Sequence, residues 1–183
     1  MYLRPLLCLV AASCSLAAAE TKPATATATA PAPGVKTIIV VRHAEAEPGP
    51  HGGDPALTAD GRTRSAELAR VLADTELRAV YITHYQRNRQ TAEPLPRGAG
   101  EKPTVIDEVP RTLAALQAEP WGATALVIGH SNTISELIRG LTGRGLPADE
   151  PIVFDRMWVV TLTRDGGASL LRLHYGAPVV VAK

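Results

Sequence analysis

The chain has 183 residues and a formal net charge of +1, one domain's worth of sequence without the basic excess of a nucleic-acid binder. Only 4% of the residues are aromatic, so a core has to be built from Val, Leu, Ile and Ala. Basic charge is carried mostly by Arg, whose fixed fork of donors suits phosphate and carboxylate, although a GC-rich coding sequence gives the same bias.

The chain opens on "MYLRPLLCLVAASCSLAAAE", with one Arg, an apolar run and then small residues. This reads as a signal peptide over residues 1–19, cleaved after Ala17-Ala18-Ala19, and implies export, with the bacterial periplasm as the expected compartment. The run from Leu6 to Ala19 is short for a membrane span. Both cysteines, Cys8 and Cys14, lie inside this segment, so the mature chain would lack thiol nucleophiles, disulfides and thiolate metal sites. The alternative is a lipoprotein anchored at Cys14, the one route by which the sequence would engage a membrane; "AASC" lacks the large aliphatic residue expected three before the Cys. Residues 20–34, "ETKPATATATAPAPG", bury no core and read as a spacer, leaving 35–183 as the folded domain.

Within that domain, "KTIIVV" is a strand. "TADGRTRSAELARVLAD" is a helix with Thr58 as N-cap, Asp60 in its positive first turn, and Gly61, Ser65, Leu68, Ala69 and Leu72 on one small or apolar face. "RAVYITH" is a second strand, and "QRNRQTAEPL" a helix that ends near Pro94. "PTVID" is a short strand, "PRTLAALQAE" a helix and "TALVIGH" a fourth strand. A helix beginning at Ser131 places Ile134, Leu137, Ile138 and Leu141 on one face. The Asp165-Gly166-Gly167 stretch between "MWVVTLTR" and "ASLLRLHYG" predicts an antiparallel hairpin. The alternation predicts an α/β domain: three layers, αβα, with a mostly parallel central sheet and a C-terminal antiparallel hairpin.

Ligands of such sheets bind beyond the carboxyl ends of the strands. Three predicted strands end there on polar groups: Arg42-His43, Thr83-His84 just ahead of Arg87, and Gly129-His130-Ser131. Taken singly, each is what many strand ends carry. Together they put two histidines and two arginines on one rim, with backbone N–H groups at Ser131 to favour an anion. Phosphoryl transfer uses such a set: fixed cations stabilise charge spread over the phosphoryl oxygens, and a neutral imidazole attacks phosphorus. Nearby arginines keep that imidazole neutral.

The ordered set "VVRHAE", "LTADGRTRSAELA", "ITHYQRNRQTAEPL" and "VIGHSNTISEL" resembles the histidine phosphatase superfamily, with its phosphoglycerate mutase-like fold, over residues 37–141. The resemblance implies that His43 is the nucleophile that becomes phosphorylated, its other ring nitrogen held by a backbone carbonyl. It also implies that Arg42, Arg87 and His130 bind the phosphoryl oxygens, with help from Ser131, and that the reaction needs no metal or other cofactor. The chain departs from the phosphoglycerate mutases in having "EAEPGPHGG" after the motif and only a short segment between Arg87 and Asp107-Glu108. The compact phosphohistidine phosphatases and their exported relatives are the nearer match. The substrate is then a phosphorylated small molecule or phosphoprotein, and the product inorganic phosphate. The other readings are a phosphate-binding module with little turnover and, behind it, a mutase.

No residue stands out as the proton donor. Glu108 and Asp107, at a strand end, are the first candidates; Asp155 and Glu45 are lesser ones. His51, His84 and His174 read as loop or surface residues, with His84 close enough to Arg87 to touch substrate. Arg62, Arg64 and Arg89 read as solvated helix residues, and Trp121 and Trp158 as packing.

Overall fold

The computed structural model describes residues 34–50, 53–96 and 102–180. The signal segment with Cys8 and Cys14, all of the spacer before Gly34, and His51 lie outside these described residues.

The strands are β1 (Val35–Arg42), β2 (Leu77–Ile82), β3 (Thr104–Val105), β4 (Thr124–Gly129), β5 (Arg156–Thr163) and β6 (Ala168–His174). The helices are α1 (Ala59–Val71), α2 (Gln86–Ala92), α3 (Val109–Ala118) and α4 (Ile134–Thr142). One sheet has the order β3-β2-β4-β1-β5-β6. Its first four strands are parallel, while β5 runs antiparallel to β1 and β6 antiparallel to β5.

The apolar runs of β1 and β4 are continuous because both faces of the sheet are covered. Side chains alternate across a strand, so Ile38, Val40, Ala125 and Val127 join one cluster with Leu116 of α3 and Leu137 and Ile138 of α4. Ile39, Val41, Leu126 and Ile128 join the other, with Leu68 of α1 and Ala92 of α2. The result is the expected three-layer αβα arrangement. Burial of each such aliphatic side chain stabilises the fold by roughly 1.5–3 kcal/mol, which makes the two central strands a rigid base for whatever their ends carry.

Two local expectations differ from the structure. Helix α4 begins at Ile134, not at Ser131, and residues 131–133 form turns. The Thr133 hydroxyl accepts the His130 N–H (3.0 Å) and donates to the His130 carbonyl (3.1 Å), a local alternative to helical pairing. Arg64 is not solvated. It is 6% exposed, its guanidinium forks onto the Glu45 carboxylate (2.7–3.0 Å), and its Nη1 donates to the carbonyls of Tyr175 and Ala177. A charge this buried is tolerated because its donors are matched by a carboxylate and two carbonyls. Arg62 and Arg89 are exposed, and the Arg62 Nη1 donates to the Leu57 carbonyl (2.7 Å).

Candidate active site

In the β1–β4 ladder Arg42 lies opposite Gly129, and in β2–β4 Ile82 lies opposite Ile128. Parallel pairing therefore delivers Arg42-His43, Thr83 and Gly129-His130 to the same rim. The His43 N–H donates to the Gly129 carbonyl (3.0 Å), so the ladder extends one residue into the site. Helix α2 is tied to the same rim. Thr91 Oγ1 accepts the Ala44 N–H (3.0 Å) and donates to the Arg87 carbonyl (2.7 Å), and Asn88 Nδ2 donates to the Ile128 carbonyl (2.7 Å). The Arg-x3-Thr spacing in α2 thus has a mechanical meaning: one turn separates the cation from the residue that holds the chain beside His43.

His43 is 7% exposed, and its Nδ1 faces the Ala44 carbonyl at 2.8 Å. A carbonyl only accepts, so Nδ1 carries the proton and Nε2 keeps its lone pair. Burial lowers the His43 pKa to about 3; the Ala44 carbonyl opposes this, and His130, Arg42 and Arg87 reinforce it. The ring is therefore neutral at physiological pH.

The cations are held by different means. The Arg42 guanidinium lies 4.0 Å from the Phe154 ring centre, and its Nη1 donates to the Ile152 carbonyl (3.0 Å). Burial pulls its pKa down, with Glu45 opposing and Arg87 adding to the drop. Arg87 stacks over Tyr85 at 4.1 Å and donates to the Gly53 carbonyl (3.3 Å), with the Asp54 carboxylate 4.0 Å away. Each guanidinium has five N–H donors, more than these carbonyls take up, so each can also serve an anion.

His130 sits 5.2 Å from His43, ring centre to ring centre. Burial, then Arg87 and Arg42, lower its pKa to about 4, against a smaller opposing pull from Asp107. Its Nδ1 is 3.5 Å from Arg87 Nη2, and its Nε2 is 2.8 Å from Thr83 Oγ1. Arg87 can only donate, so here the Nε2–H donates to Thr83. A hydroxyl serves either way, so an oxyanion displacing Arg87 from Nδ1 can be met by the other tautomer, with Thr83 donating.

Arg42, His43 and Arg87 line one open pocket of about 310 Å3, together with Phe154 and the loop that follows the motif. That loop is closed by a bridge between Ala46 and Leu57. The other expected participants are placed as follows. Ser131 is exposed on the turn after His130. Asp107 accepts the N–H and Nδ1–H of His84 (2.9 and 2.8 Å), bonds that hold its pKa below the usual carboxylate range. Glu108 is exposed and pairs with Arg111 (3.3 Å). Asp155 pairs with His174 (3.0 Å), and Glu45 with Arg64. None of these four carboxylates lines the pocket that holds His43. The His84 ring is half exposed and stacks on Tyr85 (4.0 Å), whose ring abuts His130 (5.3 Å). Sequence reasoning missed Phe154 and Glu47, both on the pocket wall. Neither belongs to a periodic pattern; the only signals were that Phe154 is the chain's single Phe and that Glu47 lies four residues past His43.

Residues 38–109 match the model of the histidine phosphatase superfamily (branch 1). The matched span carries Arg42, His43 and Arg87 and ends at the first residue of α3. Among solved structures, a candidate phosphohistidine phosphatase SixA from Nakamurella multipartitia is 25% identical with a TM-score of 0.59, over 80% of this chain and 99% of that one. The protein histidine phosphatase SixA complexed with tungstate is 24% identical with a TM-score of 0.61, over 75% of this chain and 96% of that one. A phosphoglycerate mutase from Plasmodium falciparum shares the fold at 16% identity and a TM-score of 0.55, over 82% of this chain and 98% of that one. No curated protein sequence matches. The histidine phosphatase resemblance therefore holds in sequence across the first half of the domain and in fold across nearly all of it.

Proposed function

We propose that the chain is a phosphatase that hydrolyses a phosphomonoester or phosphoramidate through a phosphohistidine on His43. The observation that carries this reading is the state of that ring: neutral, clamped at Nδ1 by the Ala44 carbonyl, and lining one pocket with Arg42 and Arg87. The Nε2 lone pair attacks phosphorus, and Arg42, Arg87 and His130 take the charge on the phosphoryl oxygens as it develops. Water then attacks the phosphohistidine and releases phosphate. Likeness to the SixA structure from Nakamurella supports phosphatase chemistry in general.

The test is hydrolysis of p-nitrophenyl phosphate, with and without chelator, by wild type and His43→Ala, together with trapping of labelled phosphohistidine. The wild type should turn over and label, independently of chelator, and the variant should do neither. Equal activity in the variant overturns the mechanism, and loss on chelation overturns its independence of metal.

One observation favours a second reading. Asp107 and Glu108, the first carboxylates considered as proton donors, are engaged with His84 and Arg111. A module that binds phosphate with little turnover would need neither. It would bind vanadate and hydrolyse nothing, phosphoramidates included. A mutase would transfer phosphate between the hydroxyls of a phosphoglycerate. The composition of residues 1–19 supports export, so we place the proposed activity in the periplasm.

A further inference from the structure

We propose that Glu47 is the proton donor of this site. The inference rests on the phosphatase reading above and supplies the group that reading lacks. A phosphomonoester with a poor leaving group needs a proton on the departing oxygen in the transition state. The donor has to face the phosphoryl pocket, and among the described residues Glu47 is the one carboxylate that lines it with His43, Arg42 and Arg87.

The surrounding carboxylates are committed elsewhere. Asp107 holds His84, Glu108 pairs with Arg111, and Asp54 accepts the Gln86 N–H (2.6 Å). Glu45 is forked by Arg64, and Asp155 holds His174 and the Val179 N–H. Among the described residues the Glu47 carboxylate has no ion pair or hydrogen bond, although its backbone is fixed. Its N–H donates to the Ala56 carbonyl (2.8 Å), next to the Ala46–Leu57 bridge. The Leu57 N–H is in turn held by Gln90 of α2 (2.7 Å), and the Thr58 N–H by the Glu45 carbonyl (3.0 Å). Pro48 confines the preceding residue to extended backbone. A side chain free at its head and fixed at its root is suited to reach a leaving group without first ordering a loop.

The His43 Nε2 lone pair forms the P–N bond while the P–O bond breaks, and the departing oxygen takes the carboxyl proton of Glu47. Water then attacks phosphorus and gives a proton to the Glu47 carboxylate. The P–N bond breaks back onto Nε2, leaving phosphate, neutral His43 and a protonated carboxyl.

Glu47→Gln keeps the shape and removes the proton. It is compared with wild type on phenyl phosphate, whose leaving group needs protonation, and on p-nitrophenyl phosphate, whose leaving group needs it far less. The expected result is a loss of about 100-fold or more in kcat/KM on phenyl phosphate, a far smaller loss in kcat/KM on p-nitrophenyl phosphate, and undiminished labelling of His43 by the latter; kcat/KM is read because it stops at leaving-group departure, before the hydrolysis step that both substrates share. Equal losses in kcat/KM on the two substrates, or none on either, overturn Glu47 as donor while leaving the His43 mechanism standing. A substrate-selective loss in Asp107→Asn or Glu108→Gln instead of Glu47→Gln also overturns it. A wild type that never labels His43 overturns the phosphatase reading and this one with it. The position is exposed, so the variant should unfold at the wild-type temperature; a lowered Tm matched by equal losses on both substrates reads as a structural role and counts against the proposal.

Discussion

Gly61→Ala sets two effects of opposite sign against each other. Gly61 lies in the first turn of α1, where alanine normally favours the helix by up to about 1 kcal/mol. A Cβ built there would lie 2.0 Å from the Glu45 carbonyl oxygen, whereas ordinary contact begins at 3.4 Å. Something must therefore retreat by well over an ångström, and the obstacle is backbone. The same carbonyl accepts the Thr58 N–H (3.0 Å), a bond worth about 1 kcal/mol that the displacement would strain. Overpacking of this kind costs about 1–3 kcal/mol, so the clash outweighs the propensity gain and we expect a net destabilisation of about 1–3 kcal/mol. Glu45 follows Ala44, whose carbonyl clamps His43, so kcat on p-nitrophenyl phosphate should fall as well. Gly140→Ala is the control: its Cβ would meet the Leu113 methyls, the nearest at 2.4 Å, which sit at the end of a side chain that can turn away. Urea midpoints and kcat for both variants provide the measurement. A Gly61→Ala protein as stable and active as wild type, or less affected than Gly140→Ala, would refute the claim that α1 is seated on the backbone behind His43.

Two further outcomes follow from the same geometry. His43 and His130 titrate in the fold at about 3 and about 4, below the ordinary 6.5, so between those values the unfolded chain binds more protons and acid favours unfolding. Stability should fall as pH drops below about 6.5; at about 1.4 kcal/mol per pH unit, His43 alone accounts for up to about 3 kcal/mol between pH 7 and 4.5. Urea midpoints at those two pH values should show a clearly shallower loss in His43→Ala, and parallel losses would contradict the burial argument. Phe154→Leu removes the ring beneath Arg42, a contact worth about 0.5–2 kcal/mol, and should weaken competitive inhibition by inorganic phosphate several-fold, whereas Phe154→Tyr should retain it. Equal inhibition constants for the two variants would remove Phe154 as the residue that positions Arg42.

The parts of this molecule that could be read from its sequence are those whose cause is local. "TIIVV" and "TALVI" read as doubly covered strands because both faces of the sheet there are covered, and Arg42, His43, Thr83 and His130 read as rim residues because parallel strands end together. Arg64 was misread because nothing near it in sequence accounts for its burial: its carboxylate partner lies in the loop after β1 and its carbonyl partners follow β6. Glu47 and Phe154 reach the pocket only because two irregular loops fold over the same rim, which no periodicity encodes. The turn at 131–133 had a local cause in the Thr133 hydroxyl, and the Ser-Asn-Thr run before Ile134 was its sign.

The placement of these residues also bears on what the motif segments are for. Of the stretch from Leu57 to Leu68, none of the described side chains lines the pocket; the stretch supplies Gly61, on which the Glu45 carbonyl rests, and Arg64, which grips the Glu45 carboxylate. In α2 only Arg87 faces the pocket, while Thr91 holds the Ala44 N–H, Gln90 the Leu57 N–H and Asn88 the Ile128 carbonyl. Most of these motif residues thus act on Ala44, Glu45 and Leu57 and on the end of β4, not on the pocket. His43, the nucleophile we propose, has a tautomer that depends on a single carbonyl, and that role needs the carbonyl fixed, because a small misplacement of a reacting group is costly in rate. The chain meets that need by tying α2 to the Ala44 N–H and seating α1 against the Glu45 carbonyl, on either side of the carbonyl that clamps His43.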